Sequence, residues 1–310
     1  MTNETIGVIG SGLMGHGIAQ IFAVHGYSVL VVDPNQQSLA TVAARVRANL
    51  EQMLAHGVAL ADDVDTIIGR ISLSTDMADC AHCDFVIEAV FEDMSLKQRI
   101  FAELDDICPE ETILCSNTSV MSITEIASKS QNKDRIVGTH FWNPPYLIPL
   151  VEVVKADYSA DKAVDATYAL LQKVGKHPVK VQKDVPGFVA NRLQHALWRE
   201  AFAIIDEGIA DAATVDECVR YGPGLRWPIL GPVENADLVG LDLTKAIHDY
   251  ILPHINADPT PSTTLEELVE AGNLGFKSGK GFQNWTADEI QATRDRLTNY
   301  LLAQQTKSDV

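Results

Sequence analysis

The chain has 310 residues, with 24 Lys and Arg against 42 Asp and Glu, a net charge of −18 and five cysteines. That length gives roughly two domains and lets a chain bury about three-quarters of its unfolded surface, so a core needs neither a disulfide nor a metal. The acidic balance excludes a nucleic-acid partner, which clustered Lys and Arg would have to hold, and scattered cysteines with one isolated Cys80-x-x-Cys83 pair argue for a reducing compartment over a zinc or disulfide framework.

In chain order, Ile6, Val8 and Ile9 read as a buried strand. It starts so near Met1 that no signal peptide is expected before it, and no later apolar run reaches transmembrane length, so the expected location is the cytoplasm. Gly10-Ser11-Gly12-Leu13-Met14-Gly15 then forms a tight turn leading into a helix over residues 15–24, whose first N–H groups face the turn and suit a pyrophosphate. A second strand over 28–32 delivers Asp33, 18 residues after Gly15, to its carboxyl end. There a carboxylate accepts both ribose hydroxyls of an adenosine and repels a 2′-phosphate, so the expected cofactor is NAD rather than NADP.

An amphipathic helix follows over 37–56, then strands over 71–73, 85–90, 112–115 and 136–139 alternating with helical stretches, the pattern of a parallel sheet covered on both faces. Strands over 150–155 and 178–182 flank a helix over 163–174. Beyond Asp184-Val-Pro-Gly187 only helical periods remain, over 188–207, 213–221, 232–254 and 265–271, and the tail over 303–310 reads as frayed. The expected architecture is a doubly wound α/β Rossmann domain over 1–184 and an all-helical substrate and dimerisation domain over 185–310.

Four polar patches fall at or just after expected strand ends, the ligand side of such a sheet. They are Ser116-Asn-Thr-Ser119, His140-Phe-Trp-Asn143-Pro-Pro, Glu152 within Leu-Val-Glu-Val-Val, and Pro186-Gly-Phe-Val-Ala-Asn191-Arg192. Glu152 lies among apolar neighbours, where a lone charge would cost several kcal/mol, so it needs a partner, and His140 is the candidate. A histidine titrating near neutrality can take the proton of a secondary alcohol while hydride leaves to a nicotinamide, and a paired glutamate fixes its tautomer.

These motifs in this order resemble the L-3-hydroxyacyl-CoA dehydrogenase family over nearly the whole chain, through to Lys277-Ser-Gly-Lys-Gly-Phe282. The resemblance implies His140 as general base, Glu152 as the carboxylate that orients it, and Ser119 and Asn191 as substrate or pocket residues. It adds Glu92, Lys97, Ser119, Asn143 and Lys277 around the nicotinamide half of NAD, beside Gly10, Gly12, Leu13, Met14, Gly15 and Asp33. It also implies a homodimer formed through the helical domain.

The chain departs from that family's pattern where coenzyme A would bind. CoA-dependent members carry a serine and lysines on the helix after the acidic residue, whereas residues 37–56 contain no lysine, Asn49 and His56 stand at those positions, and only Arg45 and Arg47 are cationic. The helical domain carries Gly222-Pro-Gly-Leu-Arg226-Trp227, which is similar to the branch containing L-carnitine and L-gulonate dehydrogenases and a dehydrogenase of pyridine-carboxylate breakdown. Arg226, flanked by Trp227, offers a planar clamp for a carboxylate or sulfonate. The expected activity is NAD-dependent oxidation of a small 3-hydroxy acid. The alternatives are a 3-hydroxyacyl-CoA dehydrogenase, oxidation of an aldehyde through its hydrate, and a non-catalytic NAD-binding structural protein.

Overall fold

The computed structural model of the chain describes residues 4–306. Eight strands form one sheet: β1 (Thr5–Ile9), β2 (Ser28–Val32), β3 (Ile71–Ser74), β4 (Phe85–Glu88), β5 (Ile113–Ser116), β6 (Ile136–Phe141), β7 (Leu150–Val154) and β8 (His177–Val181). Seven helices accompany the sheet: α1 (Leu13–Val24), α2 (Gln36–Ala40), α3 (Val42–Ala55), α4 (Val64–Ile68), α5 (Met94–Ile107), α6 (Ile123–Ile126) and α7 (Asp161–Lys173). Then come α8 (Ala190–Asp206), α9 (Ala212–Tyr221), α10 (Pro232–Val239), α11 (Leu241–Ile251), α12 (Thr263–Glu270) and α13 (Ala287–Gln305).

The sheet order is β3-β2-β1-β4-β5-β6-β7-β8, with every pair parallel except β6–β7. The chain turns outward from β1 in one direction and resumes at β4 in the other, so the carboxyl ends of β1 and β4 flank a crevice open to a ligand. Strands shielded on both faces must be apolar on both, and alternate residues divide accordingly. Ile6, Val8, Val29, Val31, Val137 and Val151 join the core beneath α1, α3 and α7. Ile9, Val86, Leu114, Ile136 and Val154 join the core beneath α5 and α6.

Residues up to Asn191, together with those from Leu297 onward, form one compact unit, and Arg192–Arg296 form a second. The division therefore falls later than the expected boundary after residue 184. The end of α13 groups with the sheet because Leu302 is fully buried in its core and Gln305 Nε2 donates to Leu147 O at 2.8 Å. The tail expected to fray from residue 303 is thus helical to Gln305, and residues 307–310 lie outside the described ones. In the second unit the expected helix over 232–254 is two helices, because Gly240 between them takes φ 101°, outside any helix. Among the described residues of Arg192–Arg296, Ala203 alone is a buried side chain, while Ile229, Val233, Leu238 and Tyr250 are each at least 70% exposed. No helix among the described residues is long and apolar enough to cross a membrane.

Candidate active site

The glycine turn sits where β1 meets the crevice. Gly10 takes φ 100°, and a Cβ on Gly15 would lie 1.8 Å from Gly10 O, so only glycine lets α1 start this close to the strand. A Cβ on Gly12 would meet nothing within 4 Å, so the space before the α1 N-terminus is open. Asp33 reaches the turn from the end of β2: Oδ2 accepts from Ser11 N at 2.8 Å and Ser11 Oγ at 2.7 Å, and Oδ1 accepts from Asn35 N at 2.9 Å. Partial burial would raise its pKa, but these donors and the nearby Arg45 charge outweigh that and hold it below the ordinary value. An ionised, half-buried carboxylate beside an open helix N-terminus fits the adenosine ribose and diphosphate of NAD.

Arg45 and Arg47 are both engaged. Arg45 reaches from α3 to the turn, with Nη2 2.5 Å from Ser11 O and Nη1 3.2 Å from Gly12 O. Arg47 pairs with Asp65 and, at 4.0 Å, with Glu51.

Across the crevice, the polar residues at the ends of β4 and β5 form one network. Lys97 on α5 is fully buried, with Nζ 2.6 Å from Glu88 Oε1 and 3.5 Å from Glu92 Oε2. Glu88 Oε2 accepts from Ser116 Oγ at 2.7 Å. Glu92, which is exposed, accepts from Thr118 Oγ1 at 2.9 Å and from Ser119 N at 2.7 Å. Lys97 thus stands behind Glu92 rather than at an open face. Glu88 escaped notice in the sequence, although it ends an apolar strand just as Glu152 interrupts one.

The single antiparallel pair brings the acid–base residues together. His140 on β6 lies directly opposite Glu152 on β7, and residues opposed in this way point to the same face. His140 Nδ1 is 2.8 Å from Glu152 Oε2, and both residues are buried. Glu152 Oε1 accepts from Val189 N at 2.9 Å and Ala190 N at 3.0 Å, where α8 begins. Burial would raise the Glu152 pKa, but the His140 bond and the two N–H donors hold it below the ordinary value. The carboxylate fixes the proton on Nδ1 and leaves Nε2 as the basic nitrogen. Phe188 and Trp142 flank the imidazole, with ring centroids at 5.8 and 5.3 Å.

Asn191 Nδ2 donates to Ser119 O at 2.8 Å, which joins the first and fourth patches. Asn117 Oδ1 accepts from Phe141 N at 2.9 Å and ties the β5 end to the His140 strand. Asn143 is exposed on the following loop, whose Ile148 O accepts from Lys176 Nζ at 3.0 Å. Burial lowers the Lys176 pKa to about 8, and nothing in the sequence marked that lysine. Arg226, Trp227 and Lys277 lie in the second unit and are exposed. Among the described residues the Arg226 guanidinium has no hydrogen bond or ion pair, while its main chain caps the Gly222–Leu225 turn through N to Pro223 O at 2.9 Å. No cluster suited to a metal ion occurs among the described residues.

Residues 5–185 match the family model described as 3-hydroxyacyl-CoA dehydrogenase, NAD binding domain, and residues 187–285 match that of its C-terminal domain. The chain is 36% identical over 287 residues to the 3-hydroxyadipyl-CoA dehydrogenase of Escherichia coli, covering 92% of this chain but only 60% of that protein. It is 35% identical over 281 residues to the 3-hydroxybutyryl-CoA dehydrogenase of Clostridioides difficile, covering 90% of this chain and 99% of the other. Among solved structures it is similar to 5-formyl-3-hydroxy-2-methylpyridine 4-carboxylic acid 5-dehydrogenase, described as an NAD+-dependent dismutase, with a TM-score of 0.91, 30% identity and 98% of each chain covered. With both family models matched in sequence order and an open dinucleotide crevice in the first, the chain belongs to the 3-hydroxyacyl-CoA dehydrogenase family of NAD-dependent oxidoreductases acting on CH–OH donors.

Proposed function

We propose that the protein oxidises the hydroxyl of a small 3-hydroxy acid, bearing a free carboxylate or related anion, to the 3-oxo acid. His140 Nε2 takes the hydroxyl proton, and Glu152 stabilises the imidazolium that results. NAD, when bound, accepts the hydride. Gly10, Gly12, Leu13, Met14, Gly15 and Asp33 hold its adenosine and diphosphate, and Glu92, Asn143, Lys277 and, through Glu92, Lys97 serve the nicotinamide half. Ser119 and Asn191 shape the substrate pocket beside His140. A purely structural chain has no use for a buried histidine held by a glutamate whose every oxygen is bonded.

The observation that carries the free-acid reading is that both cations of α3 are already engaged, Arg45 at the glycine turn and Arg47 with Asp65. An adenosine phosphate of coenzyme A would find little free positive charge there. The solved relative with near-complete coverage is named for a pyridine carboxylic acid, which fits the same reading and leaves room for an aldehyde hydrate as substrate. Arg226, an exposed guanidinium beside Trp227 with no partner among the described residues, is the carboxylate clamp. The second reading, a 3-hydroxyacyl-CoA dehydrogenase, is favoured by the names of the curated relatives. The test compares kcat/KM of Arg226→Ala and Arg226→Lys on free hydroxy acids and on 3-hydroxybutyryl-CoA. Loss of one charge-assisted partner should cost on the order of 2–5 kcal/mol on the free acid, with incomplete rescue by lysine. Efficient thioester turnover, unchanged in both variants, would establish the second reading instead.

We further propose a homodimer formed through the second unit. A unit of some hundred residues with one buried side chain cannot be stable alone, and its apolar surface suits a second copy. All five cysteines are free, which suits a reducing compartment such as the cytoplasm.

A further inference from the structure

Arg45 lies 12 residues after Asp33, on the helix where the resemblance places a CoA phosphate, and is one of the two cations there. Its guanidinium points elsewhere. Nη2 donates to Ser11 O at 2.5 Å and Nη1 to Gly12 O at 3.2 Å, with Ser38 O at 3.5 Å from Nη2. Nε is buried with no hydrogen-bond partner among the described residues, and Arg45 as a whole is only partly exposed. His16 Nδ1 lies 3.2 Å from Nη1 and 2.8 Å from Gly12 O. Burial lowers the His16 pKa, so the neutral ring donates to Gly12 O and leaves the guanidinium to the carbonyls.

The two carbonyls that Arg45 holds belong to the peptide units Ser11–Gly12 and Gly12–Leu13. In a trans peptide the C=O and N–H point in opposite directions. Holding Ser11 O and Gly12 O toward α3 therefore turns the N–H groups of Gly12 and Leu13 away from it, toward the open space before α1. Those two N–H groups have no partner among the described residues, whereas Ser11 N is taken by Asp33. The turn is thus clamped from two sides, by Asp33 on one N–H and by Arg45 on the two following carbonyls. The guanidinium also adds positive charge to a helix N-terminus whose first residues, Leu13 to His16, include no Lys or Arg.

We infer that Arg45 is a positioning residue of the NAD diphosphate subsite, aiming the Gly12 and Leu13 N–H groups through the carbonyls of Ser11 and Gly12, and is not a substrate residue. This rests on NAD being the cofactor and not on which acid or thioester is the substrate.

Displacement of NADH fluorescence from the full chain by ADP-ribose and by adenosine tests it. ADP-ribose carries the diphosphate, whereas adenosine offers only the groups that meet Asp33. Arg45→Met should weaken ADP-ribose binding by about ten- to a hundredfold while changing adenosine binding by less than about threefold. Arg45→Lys should recover part of the loss, because an ammonium can hold one carbonyl at a time. Unchanged ADP-ribose binding in Arg45→Met would overturn the assignment, and so would an equal loss for both ligands in Arg45→Met and Arg45→Lys, which marks general loosening of the unit. It would also be overturned by intact ADP-ribose binding with a raised KM for 3-hydroxybutyryl-CoA, the signature of a CoA phosphate contact.

Discussion

Every oxygen of Glu152 has a defined task, and replacing it with glutamine makes those tasks incompatible. A glutamine has one acceptor oxygen. If that oxygen serves Val189 N and Ala190 N, its NH2 faces His140 Nδ1, moves the ring proton to Nε2 and abolishes the base. Glu152→Gln should therefore lose activity nearly as severely as His140→Ala, for which we expect kcat to fall by about two to four orders of magnitude with NAD affinity unchanged. Steady-state kinetics and NADH fluorescence titration check both, and near-wild-type turnover in His140→Ala would move the chemistry elsewhere. The same carboxylate contributes to stability with a defined sign. Its folded-state pKa is below the unfolded value, so the contribution is full above about pH 5 and is lost as pH falls through the depressed value. The Tm difference between wild type and Glu152→Gln should accordingly shrink as the buffer is taken below about pH 4. A difference that stayed constant down to pH 2 would show that ionisation of Glu152 is not its source. At Asp33, replacement by alanine removes both the ribose acceptor and the clamp on Ser11 N, so KM for NAD should rise and the preference over NADP should narrow.

At the scale of elements, the site exists because one strand pair runs against the rest of the sheet. Parallel neighbours never place two residues of one short loop-connected segment face to face, whereas the β6–β7 reversal sets His140 across from Glu152, 12 positions on. On the other side of the crevice, Glu88 and Lys97 join β4 to α5 by a fully buried ion pair. Removing one partner strands the other charge, so Lys97→Met should destabilise the protein by about 3–5 kcal/mol in urea unfolding, and a change below 1 kcal/mol would show that Glu88 is neutralised some other way. The strands were readable in the sequence because strands shielded on both faces are short apolar runs, and the β2 limits at Ser28 and Val32 coincide with the expected ones. Helix ends were less readable. The expected helix over 37–56 is divided at Thr41, whose hydroxyl bonds back to Ser38 O at 2.7 Å and tightens the turn. Helix α13 was not foreseen, because its sequence is polar nearly all round. A capping box did announce it: Thr286 N donates to Glu289 Oε2 at 2.8 Å, and Glu289 N to Thr286 Oγ1 at 3.2 Å. Of the candidate site, Asp33 at the end of β2 and the pairing of His140 with Glu152 were legible by residue type and strand position, whereas Glu88 was not. The roles of Arg45 and Lys176 were not, since both act on backbone carbonyls far along the chain, which no side-chain pattern encodes.

At the scale of the molecule, the two units solve the burial problem differently. The sheet unit has cores on both faces, whereas the helical unit leaves its large apolar residues at the surface of a single chain. Light scattering at micromolar concentration should give twice 33.8 kDa, and Tm should rise with protein concentration, as association stabilises the folded state by mass action. A mass of 33.8 kDa with a concentration-independent Tm would leave the homodimer without support. The grouping of α13 has a consequence for how the protein is made. Leu302, Asn299 and Gln305 complete the sheet unit, through the core and through bonds to His56 Nε2 at 3.0 Å and Leu147 O at 2.8 Å, yet they follow the entire helical unit in the chain. During vectorial synthesis the sheet unit therefore emerges first without Leu302 in its core. That place in the core is filled only after the hundred or so residues of the second unit have left the ribosome, and until then the nascent sheet unit exposes apolar surface that the finished one buries.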